Sequence, residues 1–369
     1  MIEDWKTMTK VKGPRSAERK AAWLLATPAI VLLMSFVIIP VVLGLLLGFT
    51  NAQLLSPRAP EFTGLNNFKT LLGVATTTLN AEKNPDGTFA RDSEGKISYE
   101  SLRPLTREGS KYPNLVGKTE VKRYGENQEK GTIKVLLAGD PTFWRALTNT
   151  LFFALVVVPV QGGLALILAL LVNQKLKGRN FFRTIYFIPT VTSMVVISML
   201  WRFIYQTDGL LNQTITNFMP QYRPIDWIGN PKTAMPAIIF MSIWQAVGYH
   251  MIIWLGGLQT IPQELYEAAR MDGARKWHEF RYVTIPGLRH TFVFILITIT
   301  IAALGLFVQI SILTNGGPLD STTTLVHQAF TKGYGRQEIG YGSAISFVFF
   351  LLVLIIALIQ RQLTKRIDD

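Results

Sequence analysis

The sequence predicts an all-α integral membrane protein, with six transmembrane helices and a small extracytoplasmic insertion between helices one and two. Three observations point there. Of the 369 residues, 49% are hydrophobic and only 17% are charged, whereas soluble globular domains carry roughly 25% charged residues. The charges are clustered, so that six long stretches carry none. Lys and Arg also gather at one set of stretch ends, the asymmetry that orients membrane helices.

The charge-free stretches are 21–57 (37 residues), 146–174 (29), 184–201 (18), 233–263 (31), 290–319 (30, with His counted as neutral) and 339–360 (22). A helix rising about 1.5 Å per residue needs roughly 20 mostly apolar residues to cross the hydrocarbon core. Each stretch can therefore hold one span. Pro28, Pro40, Pro159, Pro189 and Pro236 lie within or at the ends of these runs. Membrane helices tolerate proline when neighbouring helices re-satisfy the freed carbonyls.

With the N-terminus inside, the inner segments 1–20, 173–183, 259–290 and 361–369 carry 18 Lys and Arg, and the short outer loops 206–234 and 314–338 carry 4. Loops beyond about 60 residues escape this rule, so the 13 basic and 11 acidic residues of 51–142 do not disturb it. The expected division is a cytoplasmic tail at 1–20, a first helix at 21–50 and an extracytoplasmic insertion at 51–142. A five-helix core follows at 143–362, including a cytoplasmic loop at 259–290, and a cytoplasmic tail at 363–369. Within the insertion, Pro-Asp-Gly and Glu-Gly turn signals in 84–101 flank short runs that fit strands, predicting a β-rich or mixed cap, with a flexible loop as the alternative.

Other classes fall away. The net charge of +13 has no basic face or stacking platform beside it, so nucleic acid is not an expected partner. No cysteine is present, which excludes disulfides, thiolate metal sites and cysteine nucleophiles. The basic start before the first apolar run resembles a signal peptide, but the run is too long for one, and a retained span is expected. His250, His278, His290 and His327 lack metal-ligand spacing, and no phosphate-cradling Gly-x-x-x-x-Gly-Lys-Ser/Thr loop occurs. No metal site and no catalytic residue are expected.

The loop between spans four and five is the most informative stretch. Thr260 and Gln263 have the spacing of a capping box, with Pro262 suited to a first helical turn. Glu264 and Glu267 suit the positive start of a short helix. Ala268 and Ala269 keep one face thin, Asp272-Gly273 makes a sharp turn, and Trp277 with Phe280 can anchor a second short helix against the bundle. Glu267-Ala268-Ala269, Gly273 and Val283-Thr284-Ile285-Pro286 resemble the "EAA" loop of ATP-binding-cassette importer permeases, whose pattern is Glu-Ala-Ala, a Gly four residues later and Ile-x-Leu-Pro near the end. In that family the helix docks in a cleft of the ATPase subunit. The resemblance therefore implies ATPase coupling through Glu264, Glu267, Ala268, Ala269, Asp272 and Gly273, against the competing reading of a generic amphipathic loop helix.

Four more segments resemble the carbohydrate-uptake branch of that superfamily, and within it the larger maltose-permease subunit: Phe62-Thr-Gly-Leu-Asn-Asn-Phe68, Phe143-Trp-Arg-Ala-Leu-Thr-Asn-Thr150, Gly178-Arg-Asn-Phe-Phe-Arg183 with Phe187-Ile-Pro189, and Leu313-Thr-Asn-Gly-Gly-Pro318. The resemblance covers roughly 21–73 and 140–362 and implies a second permease subunit, two ATPase subunits that bind ATP and Mg, and an extracytoplasmic binding protein. The chain itself would bind no cofactor and would not be an enzyme; its place would be the bacterial cytoplasmic membrane, multi-pass, with both termini cytoplasmic.

Transporter sites lie near the bilayer midplane on polar or aromatic groups facing the bundle interior. Trp244, Gln245, Tyr249 and His250 in span four, and Gln309 in span five, are the candidates: aromatic faces stack on sugar C–H surfaces, and amides donate and accept. Packing against neighbouring helices competes for each. Tyr249 matches a tyrosine of the maltose permease, but span five is apolar where that relative carries asparagines. The expected substrate is a di- or oligosaccharide; glycerol phosphate or a polyol is the nearest alternative. An ion-coupled secondary carrier, or a membrane enzyme, would need carboxylates inside the spans.

Overall fold

The computed structural model describes residues 16–174 and 178–368. Most of the expected 1–20 tail, with Lys175 and Lys177 of the first inner loop, lies outside them.

Span one is a rod built from α1 (Ser16–Leu33), a π-helical turn (Met34–Ile38) and α2 (Ile39–Leu47). The wide turn precedes Pro40, which lacks an N–H and would press its ring on the carbonyl four residues back. The helix ends at Leu47, not at 50, because Thr50 Oγ1 turns back to Leu47 O at 2.8 Å and Thr50 bridges to Phe62.

The insertion then builds its own small core. Helix α3 (Asn66–Leu72) leads into β1 (Val74–Asn80); after the one-turn α4 (Arg103–Thr106) come β2 (Thr119–Asn127) and β3 (Thr132–Ala138). They form an antiparallel sheet ordered β1-β3-β2. Along β3, Ile133, Val135 and Leu137 point to one face, where Leu79 and Leu115 join them in a buried cluster. The strands lie outside 84–101, where the isolated bridges Ala81–Tyr99, Lys83–Phe89 and Arg91–Ile97 occur beside the turns.

The core continues with α5 (Pro141–Asn173) as span two, then α6 (Arg179–Val191) and α7 (Met194–Ile204), which share span three but meet at 98°. A short α8 (Leu210–Phe218) precedes α9 (Ala234–Thr260), span four. The inner loop holds α10 (Gln263–Met271), α11 (Lys276–Glu279), a π-helical turn (Phe280–Thr284) ahead of Pro286, and α12 (Ile285–Gly287). Span five is α13 (Arg289–Leu304) and α14 (Val308–Leu313), interrupted at Gly305–Phe307. After α15 (Leu325–Phe330) comes α16 (Ile339–Asp368), span six. It stays helical to Asp368, into the segment expected as a tail from 363. Five helices are thus long and apolar enough to cross a membrane, or six with the bent pair taken as one span.

Helix α9 is the centre of the bundle: 67% of its apolar window is buried, against none of span one. It packs along α5 and against α6 and α13. Between membrane helices the attraction is contact rather than solvent exclusion, so small residues set the approach. A Cβ at Gly248 would collide with Tyr186 O of α6, and one at Gly257 with the Thr291 side chain of α13. Ala165 and Ala169 of α5 are fully buried in the same core.

The carbohydrate-permease motifs turn out to be struts. Asn67 Nδ2 donates to Gly48 O and Thr50 O at 2.9 and 2.8 Å. Asn149 Nδ2 donates to Asp320 O and Thr323 O at 3.1 and 3.0 Å, and Arg145 Nη1 donates to Leu319 O at 3.0 Å. The Asn67 bonds tie α3 to the end of span one, and the Asn149 and Arg145 bonds hold the loop that follows span five, where Gly316 has φ +85° and the Gly317–Pro318 peptide is cis.

Candidate functional site

Span four places the candidate substrate residues on different sides. At about 100° per residue, Trp244 and Tyr249 stand about 140° apart around α9. Trp244 faces α7, its ring centroid 5.4 Å from that of Trp201, with Phe240 one turn away and 5.7 Å from Trp201. Tyr249 is 44% exposed on another face of the helix. The bent span three crosses between them.

Gln245 and His250 are buried. Gln245 Nε2 donates to Pro189 O at 3.4 Å, and Thr190 Oγ1 donates to Gln245 O at 3.0 Å. The first bond serves a carbonyl in the last turn of α6, where the helix leaves its own carbonyls without partners. This clamp supplies a partner for one of the carbonyls freed where α6 ends. His250 Nδ1 lies 2.9 Å from Gln161 Nε2 of α5, so its imidazole ties two spans together. Gln309 sits half-buried on α14, beyond the interruption of span five and on the segment that packs against α7. The five residues therefore form no single surface within this chain. Trp201, the partner of Trp244, was not signalled by the sequence; one aromatic in an apolar run gives no cue to the face it occupies.

The inner loop is more coherent. Helix α10 begins after Pro262, with no side-chain cap. Thr260 closes α9 instead, its Oγ1 donating to Gly257 O at 2.8 Å; the expected capping box does not form, because α9 continues through Thr260. Asp272 ends α10 and Gly273, at φ +79°, turns the chain as expected. Tyr266 Oη meets Thr284 Oγ1 at 3.0 Å, and Arg270 Nε donates to Glu279 Oε1 at 2.9 Å. That hydrogen bond and its charge hold the Arg270 guanidinium above its ordinary pKa. The two contacts brace one side of α10.

On the other side, Glu264, Glu267 and Ala268 are exposed, with Met271 at 89%, while Ala269 is half turned toward the bundle. Met271 is a member of this surface that the pattern did not single out. Trp277 is 67% exposed and stacks only on Phe280, at 5.6 Å; it does not anchor the loop to the bundle as expected. A 910 Å³ polar cavity lies beneath, lined among others by Asn173, Gln259, Tyr266, Arg270 and Glu279.

Among the described residues no group of three or more His, Cys, Asp or Glu is placed to hold a metal ion.

Comparison with known proteins agrees with this architecture. The lactose transport system permease protein LacF of Rhizobium radiobacter is 37% identical over 230 residues, 61% of this chain and 77% of that protein. The trehalose/maltose transport system permease protein MalF of Thermococcus litoralis is 37% identical over 223 residues, 60% of this chain and 74% of that protein. In fold, the chain matches a crystal structure of a bacterial ABC transporter involved in the import of the acidic polysaccharide alginate, with a TM-score of 0.67 at 20% identity, over 96% of this chain and 99% of that one. Residues 161–369, from the middle of span two to the end of the chain, match the binding-protein-dependent transport system inner membrane component family. The chain is a multi-pass membrane permease subunit belonging to that family.

Proposed function

We propose that this permease forms one half of the path by which a di- or oligosaccharide enters the cell, driven by ATP hydrolysis on a separate subunit. The observation that carries the reading is α10: a short helix braced on one side through Tyr266 and Arg270 and bare on the other, joined to α9 by only Ile261 and Pro262. Movement of a partner against the bare side would be transmitted to the central helix. The lactose and trehalose/maltose permeases among its relatives support a sugar as cargo. A phosphorylated cargo would call for Arg or Lys within the path, and the charge-free runs supply none.

Span one supports a second permease as partner. Its main packing against its own bundle is at its C-terminal end, where α2 meets α16. Ala22 and Ala26, four apart, offer the small-residue spacing that lets membrane helices approach closely. The excess of basic residues at the α10 end supports a topology with α10 and both termini in the cytoplasm and the insertion outside, within reach of a substrate-binding protein. ATP and Mg would be held by the ATPase subunits. Tyr249 and Gln309 are the cargo contacts we propose from this subunit, with Gln245 and His250 holding the frame behind them and Trp244 packed on Trp201 of span three.

The test is uptake in cells deleted for this chain. Import of one or more labelled oligosaccharides should be lost, and restored by the wild-type chain. Tyr249→Ala should restore about a tenth of the rate, on loss of a stacking face and a hydroxyl contact. Loss of glycerol-phosphate uptake with all sugar uptake intact would overturn the reading.

A further inference from the structure

A 640 Å³ groove runs between α7, the short helix α8 and the first two turns of α9, walled by Trp201, Tyr205, Trp227 and Phe240. Its size suits a small ligand. Its chemistry does not suit a sugar, because the wall polar groups are committed elsewhere. Tyr205 Oη donates to Ala237 O at 2.9 Å, and Trp227 Nε1 donates to Asn212 Oδ1 at 3.1 Å.

Helix α8 forms the lid. Leu210, Leu211 and Thr214 line the groove; at about 100° per residue they span about 100° of the helix surface, with Phe218 in the same arc. Asn212 fixes the opposite face, its Nδ2 donating to Gln206 O, Thr207 O and Ile225 O at 2.8 to 3.1 Å. An amphipathic helix with Trp residues around it is the arrangement found at a membrane boundary. Phe240 lies six residues into α9, about 9 Å below its start, so the groove leads from the boundary into the hydrocarbon.

One charged group at the groove remains without an ion-pair partner. Lys232, exposed two residues before α9, lines the same groove, and none of the ion pairs among the described residues involves it. One apolar slot and one cation at its mouth match the parts of a single kind of molecule.

We propose that the groove holds an acyl chain of an anionic phospholipid, with Lys232 at the headgroup phosphate. The lipid braces α7, the outer half of the broken span three, against α8. The test is native mass spectrometry of the permease, purified with its co-assembled subunits after equilibration with phosphatidylglycerol and phosphatidylethanolamine in equal amounts. The wild type should retain phosphatidylglycerol preferentially. Lys232→Gln should lower the phosphatidylglycerol-to-phosphatidylethanolamine ratio about fivefold, the equivalent of about 1 kcal/mol for one basic residue at an anionic surface. Thr214→Trp, which fills the slot from the exposed side of α8, should lower retention of both lipids. Unchanged retention and ratio in the two variants would overturn the proposal. So would a cross-link from a cysteine at Thr214, in this otherwise cysteine-free chain, to another subunit, since the occupant would then be protein.

Discussion

Replacing Asp140 should loosen the junction between the insertion and the bundle more than any other single change in the outer half. Its carboxylate caps α5, accepting from Phe143 N at 3.1 Å, and accepts from Tyr341 Oη at 2.9 Å and Gln328 Nε2 at 3.1 Å. Lys332 Nζ stands 3.6 Å away and lies over the Tyr341 ring, 5.2 Å from its centroid. Four elements meet on this one side chain. Asp140→Ala removes a cap worth about 1 kcal/mol. It also leaves two buried donors without acceptors, at roughly 1–3 kcal/mol each. Lys332 keeps part of its surface in solvent, so its added cost is small, and the total comes to about 3–7 kcal/mol. Asp140→Asn keeps an acceptor oxygen and should cost about half as much. Unfolding by SDS in mixed micelles, followed by tryptophan fluorescence, measures this. A double-mutant cycle with Tyr341→Phe should show coupling of at least about 1 kcal/mol. Stability within about 0.5 kcal/mol of wild type in Asp140→Ala, or a strictly additive cycle, would refute the junction.

Gly248→Ala should destabilise by about 1–3 kcal/mol, the usual cost of overpacking, because the new methyl meets the α6 backbone; the same SDS titration reads it, and wild-type stability would deny the close contact. Ala268→Trp and Glu267→Lys on the bare face of α10 should abolish co-purification of the ATPase subunit while insertion into the membrane is kept, and normal co-purification would remove α10 as its dock. Single cysteines at Gly87 and Gly125 should react with a membrane-impermeant thiol reagent from outside, and one at Arg275 should not; the reverse pattern would invert the proposed topology.

What the sequence made legible follows from what the bilayer demands. Five spans could be read because a helix in lipid must be long and uncharged, and both properties are local. The inner loop was legible for the same reason: the Asp272-Gly273 turn needs only its neighbours. The break in span three was not. Its clamp joins Gln245 to Pro189, 56 positions apart, and no periodicity in 184–201 announces it. The substrate candidates failed to converge for a related reason. An amide or imidazole in an apolar run reads as a ligand group until its partner is known, and His250 finds Gln161 from 89 positions away. In the insertion, the conspicuous turn dipeptides of 84–101 drew attention from the clearer alternation Thr132–Ala138.

The central claim is that this chain guides a sugar while another subunit hydrolyses ATP. The most direct measurement is ATP hydrolysis in proteoliposomes, by the purified chain alone and by the complex assembled with its ATPase and binding protein. We expect none from the chain alone. The complex should show hydrolysis that a loaded binding protein stimulates, and Glu267→Lys should remove that stimulation. Hydrolysis by the chain alone, or sugar uptake that continues without nucleotide, would contradict the account.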